Sequence, residues 1–361
     1  MANGLSIKQQ TKLFENLNWI YGLNAPTSEN LRVDYLTHAL TLLDRSEVEH
    51  YSVLCMDILD TFLIGNNNYS SELERSCTEY IVEAYRNGKI NSEDMPLSGI
   101  DKYLSMLINF YIEYPDKSSE EIEELFEYAR IFIDAREWNQ LRAVYAESKG
   151  DFAEAKNYLD RFHALPRTED SDCEGCEIDR IIKGALKRSD MKSATHYANV
   201  TFDRKLKCES SIPEKAHVQL ALAAQFVDTY AEQPKQLEKL LTKASSVLVA
   251  NKYHFLEAAA LINAALNLNN LEMAANVLEM FRPVVNEFPY EMGNFQFYMS
   301  AYFVACKKGD IKDADNWLDR ACKYATEFDT RNRNQYYKTC MDKALADGGF
   351  WVNTPGVVKH K

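Results

Sequence analysis

Apolar and small residues recur at helical spacing along this chain, and a short polar turn interrupts them at intervals of about 40 residues. The turn has the same form four times: Gly150-Asp-Phe-Ala-Glu-Ala155, Ser189-Asp-Met-Lys-Ser-Ala194, Asn269-Asn-Leu-Glu-Met-Ala274 and Gly309-Asp-Ile-Lys-Asp-Ala314. Its first residues are turn formers that end one helix and cap the next. The closing Ala and a second small residue ahead of each turn (Ala146, Ala185, Ala265, Ala305) predict two helices crossing at close range. Apolar residues follow at helical spacing, as in Leu159 and Phe162 or Leu278 and Phe281. Starts at 150, 189, 269 and 309 leave a double interval, which predicts a divergent copy near residue 229, where Pro234 opens a helix. Stepping back along the chain reaches Tyr114–Ser119, Asn66–Ser71 and Pro26–Glu29. The expected fold is all-α: one right-handed α-solenoid of about eight stacked helical hairpins. Residues 1–110 are the divergent N-terminal hairpins, 111–345 the tetratricopeptide-like repeats and 346–361 a short tail.

Composition narrows the alternatives. Only 13 Gly and 9 Pro occur in 361 residues, too few for Gly-rich phosphate-binding α/β turns. A hydrophobic fraction of 46% supplies a core, and stacking avoids the size at which a single core splits. The net charge of −13 argues against nucleic acid as a partner, since phosphate contacts need a basic face. The run Glu120-Glu121-Ile-Glu123-Glu124 reads either as a solvated helix face or as a docking surface for a basic partner. No stretch has the length of a membrane span, and the N-terminal residues lack a signal-peptide core. The expected location is therefore the cytoplasm, with the eight Cys mostly reduced.

Cys55, Cys77, Cys306, Cys322 and Cys340 stand among apolar helical residues and read as small core fillers. Cys173 and Cys176 form a Cys-x-x-Cys pair, and Cys208 follows one hairpin later. With Ser171 and Asp172 as the cap, both paired Cys lie in the first turn of a helix running to about Lys187. An antiparallel return helix ending near Lys205 carries Cys208 back to that end, where His163 also arrives. His196, early in the return helix, stays roughly 18 Å away. Cys173, Cys176 and Cys208 with His163 or Asp172 are thus a candidate structural zinc set. Ordinary reduced thiols and a redox-active pair at a helix N-terminus remain the alternatives.

The run Pro166-Arg167-Thr-Glu-Asp-Ser171-Asp172-Cys173-Glu-Gly-Cys176, followed by a hairpin and Cys208, resembles a motif of bacterial tetratricopeptide-repeat proteins. Those carry Pro-Arg-Asp, then Ser-Asp-Cys-x-x-Cys, then a Cys shortly before a Pro. The match spans Trp138 to Ala224, about a quarter of the chain. Here the acidic residue after Arg167 comes later, and Cys208 precedes Pro213 by five residues. The resemblance implies a bacterial or phage origin, the repeat fold, and the three Cys acting together.

No Gly-rich phosphate loop, His-Glu-x-x-His or Gly-x-Ser-x-Gly occurs in the sequence. Arg45 and His50 fit an Arg-x4-His pattern, but such positions sit about 140° apart on a helix, so a non-catalytic protein is expected. The concave face of a repeat stack binds protein or peptide, and its inward positions are those of Ile182, Ile262, Phe295, Tyr298 and Tyr302. The aromatic group containing Phe295, Tyr298 and Tyr302 reads either as core or as a ligand-facing stripe. A peptide-responsive sensor of the bacterial pheromone-receptor type is the second reading. It lacks a DNA-binding output, because Arg32 to Glu49 is net acidic.

Overall fold

A computed structural model of the chain describes residues 29–46, 48–64, 71–91, 99–168, 173–187, 191–204, 255–285 and 293–348, with Ser171 and three further isolated positions. Every element among them is an α-helix. These are α1 (Glu29–Leu42), α2 (Val48–Ile64), α3 (Ser71–Arg86), α4 (Ile100–Glu113), α5 (Ser119–Ala129), α6 (Ala135–Ser148), α7 (Phe152–Ala164), α8 (Glu174–Lys187), α9 (Met191–Asp203), α10 (Phe255–Asn267), α11 (Leu271–Val285), α12 (Asn294–Lys308), α13 (Ile311–Asn332) and α14 (Tyr336–Asp347). The divergent copy expected near residue 229, the turn Ser189–Asp190 and the tail beyond Gly348 lie outside the described residues. The chain divides into two compact units, Met1–Tyr111 with Ile122–Asp134, and Ile112–Glu121 with Ala135–Lys361.

Three copies of the repeated signal have one backbone solution. Gly150 (φ 75), Asn269 (φ 55) and Gly309 (φ 75) take the left-handed conformation that ends a helix. Their amides donate to the carbonyls of Glu147 (3.0 Å), Leu266 (3.1 Å) and Cys306 (3.1 Å). The next amide, of Asp151, Asn270 or Asp310, donates to Ala146 (2.9 Å), Ala265 (2.8 Å) or Ala305 (3.0 Å). This pair of bonds satisfies carbonyls that a helix end otherwise leaves without a partner. The side chains of Asp151, Asn270 and Asp310 then accept from the amides of Glu154 (2.9 Å), Met273 (3.0 Å) and Asp313 (3.0 Å) and cap the second helix. One six-residue signal therefore stops a helix, reverses the chain and starts the next helix.

The small residues sit where the helices meet. Ala146, Ala185, Ala265 and Ala305 are buried, as are Ala155, Ala194, Ala274 and Ala314. Helix pairs α6/α7, α8/α9, α10/α11 and α12/α13 pack as neighbours, and first helices contact the next first helix described, α6 on α8 and α10 on α12. The sequence period reappears as side-chain contact between those first helices. Arg136 reaches Glu177, Arg180 reaches Gln140 (2.7 Å), and Ser300 Oγ donates to the Ala259 carbonyl (3.2 Å), at separations of 41, 40 and 41 residues.

Two features depart from the expected stack. First, α10 and α12 are enclosed on almost every side: all described positions of Ala258–Leu266 and Asn294–Ala301 are buried. The aromatic residues of α12 join two ring clusters, Phe295 with Tyr324 (5.8 Å) and Tyr337 (5.2 Å), and Phe297 with Phe281 (6.2 Å) and Trp317 (6.0 Å). Second, the α13–α14 turn docks on segments about 200 residues earlier in the same unit. The Arg331 guanidinium donates to the carbonyls of Ile112 (2.7 Å) and Tyr114 (3.2 Å), and Ser119 Oγ donates back to the Arg331 carbonyl (2.8 Å). Asn332 and Asn334 donate to the carbonyls of Ser148 (3.3 Å) and Lys149 (2.8 Å) at the end of α6. Tyr336 stands edge-on to Phe152, with ring centroids 5.9 Å apart. A linear stack, in which each unit touches only its neighbours, makes no such contact.

In the first unit, α1 packs on α2 and α2 on α3. Cys55 and Cys77 are both fully buried where α2 meets α3. The hydrogen bond with Cys77, then burial, push the Cys55 thiol far above its ordinary range. These two Cys are inert core residues, as their apolar neighbours predict.

Candidate functional site

The segment Leu165–Arg204 holds the motif richest in chemistry-bearing residues. Helix α8 starts at Glu174, which puts Cys173 at the position just before its first turn. The Cys176 amide donates to Cys173 Sγ (3.3 Å), and the Glu177 amide to the Cys173 carbonyl (3.1 Å). Cys173 is exposed and Cys176 half-buried. Ser171 serves the loop before the helix, its hydroxyl accepting from the Thr168 amide (3.0 Å). Helix α9 returns antiparallel to α8, and Arg204 just past its end pairs with Glu174 at the start of α8. The end of the hairpin that carries the Cys pair is therefore the end to which α9 returns.

His163 has an aromatic partner on α9. Its ring stacks on Tyr197, with centroids 6.3 Å apart and planes 9° apart. Tyr197 lies seven residues before Arg204, about 10 Å back along α9 at 1.5 Å per residue. Among the described residues no three His, Cys, Asp or Glu side chains come together as a metal set. Cys208 and Asp172 lie outside the described residues, so of the candidate zinc set the structure describes Cys173, Cys176 and His163 alone.

What the motif builds is an ionic clamp beside that pair. Arg136 of α6 and Glu177 of α8 are both buried. They meet through two bonds, Nε to Oε1 (3.2 Å) and Nη2 to Oε2 (2.9 Å). Nη1 of Arg136 donates to the carbonyls of Phe162 (2.8 Å) and Leu165 (2.6 Å) at the end of α7, and its guanidinium lies 3.9 Å from the Phe162 ring centroid. Arg167, from the Pro-Arg of the motif, reaches the same Glu177 carboxylate. Burying these charges costs several kcal/mol, offset only because hydrogen bonds satisfy both ions. Losing one partner would leave the other uncompensated, at about 3–5 kcal/mol. Arg136 and Glu177 lie 41 residues apart with nothing in either local sequence to mark them, so only superposing successive copies exposes the pair.

The expected binding stripe is differently placed. Ile182 and Ile262 are fully buried, and Phe295 and Tyr298 are buried as well. Tyr298 stacks on Trp317 (6.0 Å), and burial raises its hydroxyl above the usual range. Tyr302 is half-buried and is the one member of the stripe with accessible surface. The reason is geometric: Ala at every crossing lets the flanking helices close over α10 and α12. Arg45 and His50 do not face each other across a site either. Arg45 precedes α2 and donates to the Tyr51 hydroxyl (3.4 Å), whereas His50 is exposed in the first turn of α2.

Accessible concave surface lies between α13 and α14, in a groove of about 480 Å³. Ala325 and Met341 are among the apolar residues of its lining, and Thr326, Asp329, Arg333 and Lys338 among the polar ones. The Asp329 carboxylate accepts from the amides of Tyr337 (2.9 Å) and Lys338 (2.9 Å) and so caps α14. Burial nevertheless raises its proton affinity above the ordinary carboxylate value, against the lowering by those bonds. No protein-family model, curated protein or solved structure matches the chain. Among the described residues no helix is long and apolar enough to cross a membrane.

Proposed function

We propose that this chain is a non-catalytic binding scaffold of the tetratricopeptide-like kind, which holds a protein or peptide against its stacked hairpins. The observation that carries the reading is the recurrence of first-helix contacts at 40–41 residues, Arg136 to Glu177, Gln140 to Arg180 and Ala259 to Ser300. Repetition of one hairpin joined through one face sets side chains of successive units along a shared surface, the kind of surface repeat proteins use for stoichiometric binding. Because the first helices are enclosed at α10 and α12, the reading moves the contact surface from Ile182, Ile262, Phe295 and Tyr298 to accessible positions. These are Tyr302 and the α13–α14 groove, whose apolar floor and mixed-charge rim suit a peptide segment better than a small apolar ligand.

The test is capture from the native source by the intact chain, compared with variants Tyr302→Glu and Thr326→Glu combined with Lys338→Glu. Thr326 and Lys338 are exposed, so the thermal midpoint of that pair should stay close to the parent's, exposed changes moving stability by less than about 0.5 kcal/mol. Tyr302 packs partly on the core, and capture by its variant is read at a temperature below that variant's own measured midpoint. The scaffold reading expects a partner retained at fixed stoichiometry by the parent and released by at least one variant. A partner retained equally by all variants, or turnover of a substrate by the purified protein, would contradict it.

A further inference from the structure

We infer that Cys173 and Cys176 form a reversible intrachain disulfide, a redox-responsive site set beside the ionic clamp between α6 and α8. Cys173 occupies the position just before the first turn of a helix of 14 residues and Cys176 the third position within it. Residues three apart in a helical turn have Cβ atoms about 5–6 Å apart. A disulfide brings its Cβ atoms to about 3.5–4.5 Å, so closing the bond needs the first turn to tighten by about 1–2 Å. The Cys173 sulfur is already folded back over the turn, since the Cys176 amide donates to it at 3.3 Å.

Access and charge favour exchange with a small disulfide. Cys173 is exposed and Cys176 half-buried, which distinguishes an attacking thiol from a shielded resolving thiol. Among the described residues of the turn, the carboxylates are Glu174 and Glu177, and both are paired with arginines. Glu174 pairs with Arg204, and Glu177 pairs with Arg136 and Arg167. The chemistry balances with a low-molecular-weight disulfide of the glutathione class as oxidant. The Cys173 thiolate attacks one sulfur of that disulfide, its S–S bond breaks, and one small thiolate leaves. The Cys176 thiolate then attacks Cys173 Sγ, the intrachain S–S bond forms, and the second small thiolate leaves. Two protein thiols lose two protons and two electrons, and the small disulfide gains them as two thiols.

The consequence reaches the hairpin junction. The Cys173 carbonyl accepts from the Glu177 amide (3.1 Å), and the Glu177 carboxylate holds Arg136 and Arg167. Closing the ring across residues 173–176 acts on the turn that aims this carboxylate. The disulfide state therefore tunes how firmly α8 is tied to α6.

The experiment equilibrates the folded, full-length protein in buffers of graded reduced and oxidised glutathione, traps free thiols by alkylation, and maps peptides by mass. Expected is a peptide containing residues 173 and 176 that escapes alkylation and is two hydrogens lighter in oxidising buffer, returning to two alkylated thiols on reduction. Cys208→Ser should leave this response intact, whereas Cys173→Ser and Cys176→Ser should each abolish it. The inference is overturned if both thiols alkylate at every ratio, if Cys208 is found in the bridge, or if stoichiometric zinc released by mercurial reagent accounts for the protection. Each outcome leaves the scaffold reading to its own capture test.

Discussion

The turns at Gly150 and Gly309 share a sequence signal, a left-handed glycine at φ 75, an Asp cap on the following helix and a buried Ala closing the crossing. Their surroundings differ completely. A side-chain carbon added at Gly309 would meet nothing within 4 Å. One added at Gly150 would run into the ring of Tyr336, which arrives with the α13–α14 turn from the far end of the unit. The same local solution is thus a free reversal in one place and a docking pad in the other. A repeat signal specifies the reversal, and residues elsewhere decide what else the reversal does.

The largest effect expected follows from that contrast. Gly150→Ala combines left-handed strain, about 1–2 kcal/mol, with overpacking against Tyr336, about 1–3 kcal/mol. Gly309→Ala carries the strain alone, about 1–2 kcal/mol. Urea midpoints of the two variants should therefore fall in the order Gly150→Ala below Gly309→Ala below the parent. Equal losses would mean that the Tyr336 contact is absent.

A smaller effect separates the two ends of α13 by pH. At its first turn, the bidentate bond with Arg282 holds Asp313 below the ordinary carboxylate value. A folded-state pKa below the unfolded one adds stability at neutral pH, which is lost as pH falls through the carboxylate range. For this half-exposed pair the amount is about 1 kcal/mol at most. At the last turn, burial raises Asp329 above its ordinary value. The sign reverses there: the ionised form costs stability near neutrality, and protonation on acidification relieves that cost. Denaturation midpoints measured from neutral pH down through the carboxylate range should show the parent's advantage over Asp313→Asn shrinking on acidification. The difference between the parent and Asp329→Asn should move in the parent's favour over the same range. Parallel pH curves for parent and both variants would break this part of the comparison.

How much was legible in the sequence follows from which interactions are local. Gly150, Asn269 and Gly309 announce themselves because helix termination and capping are settled within six residues, and the predicted hairpins follow from them. The antiparallel return of α9 toward the Cys pair was readable for the same reason and is marked by Arg204 on Glu174. The stacking of His163 on Tyr197 has no mark in the local sequence, because that ring belongs to the middle of the next hairpin. The enclosure of Ile262, Phe295 and Tyr298 depends on how closely Ala-lined helices approach, which hydrophobic periodicity does not encode. Least legible was Arg331 on Ile112 and Tyr114, a contact across 219 and 217 residues between two polar turns. Each of those turns, taken alone, reads as an ordinary solvent-facing loop.

The central claim is that the α6–α7 turn is a specific seat for the α13–α14 turn, and a double-mutant cycle between Gly150→Ala and Tyr336→Ala tests it most directly. Unfolding free energies of the parent, both single variants and the double variant give the coupling. The account predicts that Gly150→Ala costs at least about 1 kcal/mol less when Tyr336 is already Ala, because coupled neighbours depart from additivity by about 0.5–3 kcal/mol. The corresponding cycle with Gly309→Ala should be additive. A Gly150→Ala cost that is the same in both backgrounds, within about 0.5 kcal/mol, would contradict the claim.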